Sequence, residues 1–110
     1  MRRGILIAVT AVVACAPVAQ ADDGTAAIDR GRALLSEKCA QCHAIGAEGE
    51  SPLAAAPHFR DLHKRYPIEG LAEALAEGIA TGHSAMPQFA FEPAEIDAIL
   101  SYLNSLAPPP

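Results

Sequence analysis

Cys39-Ala40-Gln41-Cys42-His43 is a C-x-x-C-H motif, and it follows directly on a stretch from Ala26 to Lys38 in which strong helix formers dominate. The spacing has a chemical reason. Two cysteines three apart can each form a thioether to one vinyl group of a haem, and the adjacent histidine then reaches the iron from the same side. Three other readings use the same cysteines. A thioredoxin-like redox pair expects a βαβ setting, and this chain shows no strand pattern. Cys39, Cys42, His58 and His63 stand as C-x2-C-x15-H-x4-H, within loose zinc spacing. A Cys39–Cys42 disulfide would close too small a loop to stabilise much. Haem attachment is preferred, because zinc leaves His43 and the downstream Met86 without a role.

Working outward, the apolar positions Ala27, Ile28, Leu34 and Leu35 share one face of a helix predicted from Ala26 to Lys38, after a polar tail from Asp22 to Thr25. Gly31 inside that helix costs about 1 kcal/mol against alanine, which marks a close crossing. Residues 45–57, with Gly46, Gly49, Pro52 and Pro57, read as loop. A short helical piece is expected over Phe59 to Lys64, and a second helix over Ile68 to Ile79, ended by Gly78 and Gly82. Pro93 suits the first turn of a last helix whose apolar face is Ile96, Ile99, Leu100, Leu103 and Leu106. The fold class is therefore all-α.

At the other end, Arg2 and Arg3 precede the apolar stretch Ile5 to Ala14, followed by Pro17 and Ala19-Gln20-Ala21. A basic n-region, a short h-region and a small-x-small site read as a secretory signal peptide over residues 1–21, cleaved after Ala21. The alternatives are a packed N-terminal helix and a lipid anchor at Cys15 after Val12-Val13-Ala14. No apolar run reaches the roughly 20 residues of a membrane span. Covalent haem attachment follows export, so motif and signal agree, and the periplasm is the expected location. Residues 22–107 form the domain and 108–110 a disordered proline tail.

Composition narrows the reading further. The chain has 110 residues, 51% of them hydrophobic, but 24 are alanines that bury little area. A single small domain with a thin core is what remains, and such chains lean on disulfides, metals or cofactors. The net charge of −5 becomes −7 without Arg2 and Arg3, from six Lys and Arg against thirteen Asp and Glu. That balance argues against nucleic acid, where cations must neutralise phosphates. Met86 is the one methionine besides Met1, in a Pro-flanked loop 43 residues after His43. It is the expected second axial ligand to the iron, with His83 as its competitor.

With these residues in view, the sequence resembles the class I c-type cytochromes over residues 26–106. Gly31-x-x-Leu34-Leu35-x-x-x-Cys39-x-x-Cys42-His43 is similar to the family's first helix, whose glycine packs against an aromatic of the last helix, here Tyr102. Ala56-Pro57-His58-Phe59 resembles the stretch whose proline carbonyl accepts the proximal histidine Nδ1–H, which assigns that role to Pro57. Ala85-Met86-Pro87-x-Phe89 resembles the distal Met-Pro segment. The resemblance implies a small cytochrome c-like fold of three to four helices around one covalent haem c. The family's buried tryptophan is absent, so Tyr66 or Arg60 is expected to hydrogen-bond a haem propionate. Phe59, Leu62, Leu71, Leu75, Ile79, Phe89, Phe91 and Ile99 are the candidate apolar wall.

These readings converge on an exported one-electron carrier rather than an enzyme, since no nucleophile, acid–base pair or open coordination site is evident. His43 and Met86 would hold the iron six-coordinate, and Met/His ligation raises the potential. Redox partners with a basic docking face are expected, meeting the protein faster at low salt. The alternatives are an electron-accepting subunit of a periplasmic dehydrogenase or reductase, and a haem ligand-binding sensor. The haem-free chain is expected to be largely unfolded.

Overall fold

The computed structural model describes residues 4, 9–19, 22–79 and 85–109. Three α-helices form the frame: α1 (Asp23–Lys38), α2 (Leu71–Glu77) and α3 (Pro93–Leu106). Two short 3-10 helices, Phe59–Lys64 and Ile68–Gly70, lie between α1 and α2. No strand occurs among the described residues. Leu35, Ile68, Leu75, Ile96, Ile99, Tyr102 and Leu103 make the core, with Ile99 wholly buried.

The expected polar tail at Asp22–Thr25 is mostly helix instead. The Asp22 carbonyl accepts the Ala26 N–H at 3.1 Å, which closes the first turn three residues early. Asp23 in that turn complements the positive end of the helix dipole. The single helix expected over Ile68 to Ile79 is also divided. It begins as a 3-10 turn through Gly70, becomes α-helical at Leu71, and stops at Glu77. Gly78 takes φ +95°, a conformation that ends a helix and suits glycine. Ile79 therefore leaves the helix, and Gly82 lies outside the described residues.

Pro93 opens α3 as expected, at a position where its missing N–H costs nothing. The Glu95 carboxylate reaches back to the Glu92 N–H at 3.0 Å and satisfies one donor at that end. α3 ends at Leu106, and the prolines 108 and 109 continue without regular structure.

α1 packs chiefly on α3, and the crossing is set at Gly31. A Cβ built there would run into the Ala98 carbonyl oxygen and lie 2.6 Å from its carbon and 2.9 Å from Tyr102 Cβ. The backbones thus touch where any side chain would hold them apart. Ala98, buried and small, shares with Tyr102 the role the sequence assigned to the aromatic alone. Tyr102 also donates its hydroxyl to the Ile45 carbonyl at 2.8 Å, tying α3 to the loop behind the motif.

Residues 9–19 carry no secondary structure, and Val9, Val12, Val13 and Val18 are each at least 86% exposed. A packed N-terminal helix is not what these residues form. Gln20 and Ala21, which immediately precede the expected cleavage point, lie outside the described residues, as do Met1–Arg3 and residues 5–8. No helix is long and apolar enough to cross a membrane among the described residues.

Candidate cofactor site

α1 delivers the motif. Its C-terminal residue is followed by Cys39, whose N–H bonds the Leu35 carbonyl at 2.8 Å. The Cys39 carbonyl then accepts both the Cys42 N–H at 3.1 Å and the His43 N–H at 2.9 Å. This tight turn sets the two thiols and the imidazole along one short stretch of rigid backbone. The loop that follows is pinned back on it: Leu53 N–H to the Cys42 carbonyl (3.1 Å), Ala44 N–H to Ser51 Oγ (3.0 Å) and Phe59 N–H to the Ala44 carbonyl (3.0 Å).

The fold of that loop brings Pro57 to His43. His43 Nδ1 donates to the Pro57 carbonyl at 2.7 Å. A proline carbonyl can only accept, so the bond selects the tautomer with its proton on Nδ1 and leaves Nε2 with a free lone pair. Phe59 packs a tilted ring against the imidazole, centroids 4.7 Å apart, and restricts its rotation.

His43 lines two adjoining cavities. The larger, about 580 Å³, lies between the motif, α2, α3 and the segment containing Met86. The smaller, about 300 Å³, shares Cys39, His43, Pro57, Met86 and Phe89 with it and adds Cys42, Lys38 and Gln41. Every member of the expected apolar wall lines the larger cavity, together with Leu35 and Leu103. Those two escaped the sequence reading because helical periodicity assigns them to the α1 and α3 core faces. They serve core and cavity at once.

Met86 faces both cavities, on the segment that the Phe91 N–H ties to the Leu75 carbonyl at 2.9 Å. Its competitor His83 lies outside the described residues. Tyr66 lines the larger cavity while 46% exposed, at the rim. Arg60 does not line it. Its guanidinium donates to the Gly49 carbonyl at 2.8 Å and contacts His58 Nδ1 at 2.9 Å, so it braces the loop instead. Arg65, which the sequence reading passed over, does line the cavity.

The rival ligand sets fare differently. No group of three or more His, Cys, Asp or Glu is placed to hold a metal ion among the described residues, so Cys39, Cys42, His58 and His63 make no zinc site. His58 is engaged by Glu50 at 3.2 Å and lies 3.5 Å from Asp61. Cys39 and Cys42 are free thiols, not a disulfide. Burial pushes the Cys39 thiol up to about 11, with Cys42 adding to it, so Cys39 is a neutral thiol at pH 7.

The residues present fit a flat, largely apolar group carrying a metal centre. An oriented imidazole, a thioether sulfur and the Cys39 thiol line both adjoining cavities, and the Cys42 thiol lines the smaller one. A family model described as Cytochrome c matches residues 28–107. No curated protein and no solved structure gives a significant match.

Proposed function

This chain belongs to the cytochrome c family, whose members bind covalently attached haem c and carry electrons, and on that premise we propose an exported monohaem electron carrier. Cys39 and Cys42 would hold the haem by thioethers, His43 Nε2 and Met86 Sδ would ligate its iron, and the group would supply one-electron exchange with redox partners. The observation that carries this reading is the 2.7 Å hydrogen bond from His43 Nδ1 to the Pro57 carbonyl. It orients the ring and makes Nε2 the basic nitrogen, as a histidine ligand requires.

Haem supplies a centre that changes oxidation state by one electron. The chain's own residues do the rest. His43 stands on backbone held by the Cys39 carbonyl, and with the same two side chains as ligands in both oxidation states little would have to move when the electron does. A thioether ligand favours the reduced iron and raises the potential. Leu35, Leu71, Leu75, Ile99 and Leu103 line the larger cavity and would shield a group bound there from water. Iron held by both His43 and Met86 would offer no open position to a substrate, which favours a carrier over an enzyme. Partners meet it through a small, transient interface, as redox encounters usually do.

Export to the periplasm is supported by the apolar residues 9–19, which have no place in the packed domain. On this reading Cys15 is discarded with the signal peptide. With the acidic balance that remains, a basic docking face on the partner would speed association at low salt.

The test is a set of absorption spectra of the purified protein. Mass and haemochrome spectrum should report one covalent haem, and both Met86→Ala and Met86→His should lose the far-red band of Met-ligated ferric haem. A band that survives in Met86→Ala refutes the axial assignment.

A further inference from the structure

A second hydrogen-bond network lies on the outer side of the loop that carries Pro57, and the electron-carrier reading leaves it unused. Arg60 lines neither cavity, yet its guanidinium is engaged through both arms of its fork. One nitrogen donates to the Gly49 carbonyl at 2.8 Å and the other contacts His58 Nδ1 at 2.9 Å. A guanidinium can only donate, so His58 Nδ1 accepts, and the imidazole proton sits on Nε2, which faces Glu50 Oε2 at 3.2 Å. Asp61 Oδ2 lies 3.5 Å from the same Nδ1, but the other oxygen of that carboxylate accepts from Lys64 at 2.7 Å. Gly49 presents its carbonyl from φ +91°, a backbone conformation that suits glycine. The half-buried His58 ring is thus held at both of its nitrogens.

The consequence reaches His43 through one peptide unit. The Pro57 carbonyl, which accepts from His43 Nδ1 at 2.7 Å, shares a planar peptide group with the His58 nitrogen. Fixing His58 therefore fixes the direction in which that carbonyl points. Phe59, next in the chain, packs its ring on the same imidazole. We propose that Arg60 and His58 are positioning residues, a clamp that aims the Pro57 carbonyl at His43 Nδ1 and so sets the donor strength of Nε2. A carbonyl held on line draws the Nδ1 proton toward its oxygen and makes Nε2 more basic; a carbonyl free to swing does neither. The planar fork matters because it spans two acceptors in fixed relation, which a single ammonium on a flexible stem does not.

This inference rests on the haem reading above, and the experiment separates the two. Haem-loaded wild type, Arg60→Leu, Arg60→Lys, His58→Leu and His58→Asn are compared by NMR in the reduced state, following the chemical shift and hydrogen exchange of the His43 Nδ1 proton. Denaturant unfolding of each, with Ile96→Val as a control in the buried core, gives the exchange that global opening alone produces. Arg60→Leu and His58→Leu should move the proton upfield and speed its exchange roughly tenfold beyond that allowance, the scale of one lost hydrogen bond to a charged group. Arg60→Lys should show most of the same change, because the charge stays and the fork goes. His58→Asn should restore much of the wild-type signal, since its amide oxygen can accept where Nδ1 did. Ile96→Val should exchange no faster than its loss of stability requires. A wild-type shift and exchange rate in haem-loaded Arg60→Leu overturns the clamp, and the same result in Arg60→Lys overturns the need for its fork. A wild-type protein without covalent haem overturns the underlying reading, and this inference with it.

Discussion

Replacing Gly31 by alanine puts a methyl group into the α1–α3 crossing. Its Cβ would meet the Ala98 carbonyl oxygen, lie 2.6 Å from the Ala98 carbon and 2.9 Å from Tyr102 Cβ. These atoms are backbone or backbone-anchored and cannot rotate aside, so the two helices must separate by about an ångström to reach ordinary van der Waals distance. Overpacking of this kind costs about 1–3 kcal/mol, and an immovable obstacle places it near the upper end. Alanine gains back about 1 kcal/mol of helix propensity. The net is a loss of about 2 kcal/mol, or a fall in Tm of roughly 8–16 °C for a domain of this size. Gly24 is the internal control. It lies in the same helix, and its added Cβ would meet only Asp22 Oδ2 at 3.8 Å. Gly24→Ala should therefore be neutral or stabilising by up to about 1 kcal/mol. Guanidinium unfolding of the haem-loaded variants, with unchanged slope, reads both. Truncating Ala98 to glycine should not rescue Gly31→Ala, since the obstacle is the carbonyl and not the methyl. If Gly31→Ala proves as stable as Gly24→Ala, the close crossing is wrong.

Three further outcomes are expected. Tyr102→Phe removes the 2.8 Å bond to the Ile45 carbonyl and should cost about 1–2 kcal/mol in urea unfolding, with the haem spectrum unchanged; a loss below a few tenths would show that water replaces the hydroxyl. The Asp61 and Glu69 carboxyls are held below the usual range, Asp61 first by Lys64 and Glu69 first by its own N–H and then by Asn104. Their contribution is intact above the unfolded carboxylate pKa and is lost only as pH falls through the lower folded values, so Lys64→Gln should move the Asp61 titration upward in an NMR pH series; an unmoved titration contradicts the pairing. Without haem, Leu35, Leu71, Leu75, Ile99 and Leu103 would face water in the larger cavity, and burying one such side chain is worth about 1.5–3 kcal/mol. Cys39→Ser/Cys42→Ser protein, which cannot attach haem covalently, should show little helical circular dichroism without added haem, and a cooperative thermal transition in it would contradict this account.

The elements that could be read from the amino-acid order are those with local causes. The C-x-x-C-H spacing is a property of five consecutive residues, and Pro93 and the apolar repeat of α3 depend only on neighbours along the chain. Gly31 was readable as an exception: a glycine in a strong helix pattern needs a reason, and a close crossing supplies one. The early start of α1 and the 3-10 opening before α2 were not readable to the residue, because first turns are decided by a few backbone hydrogen bonds of small net energy.

The choice between Arg60 and Arg65 shows where local order stops being informative. The two arginines lie five residues apart in the same polar stretch, and nothing in their neighbours ranks them. What separates them is the return of the 45–57 loop, which offers Arg60 the Gly49 carbonyl and leaves Arg65 at the cavity. The same holds for Leu35 and Leu103, whose periodicity marks them as buried without saying that the space they face is a cavity. Residue type and spacing thus declare the chemistry, since ligands and thiols must be of the right kind. Which polar side chain reaches the site depends on contacts between segments far apart in sequence, and those exist only once α1, α3 and the loop have closed on one another.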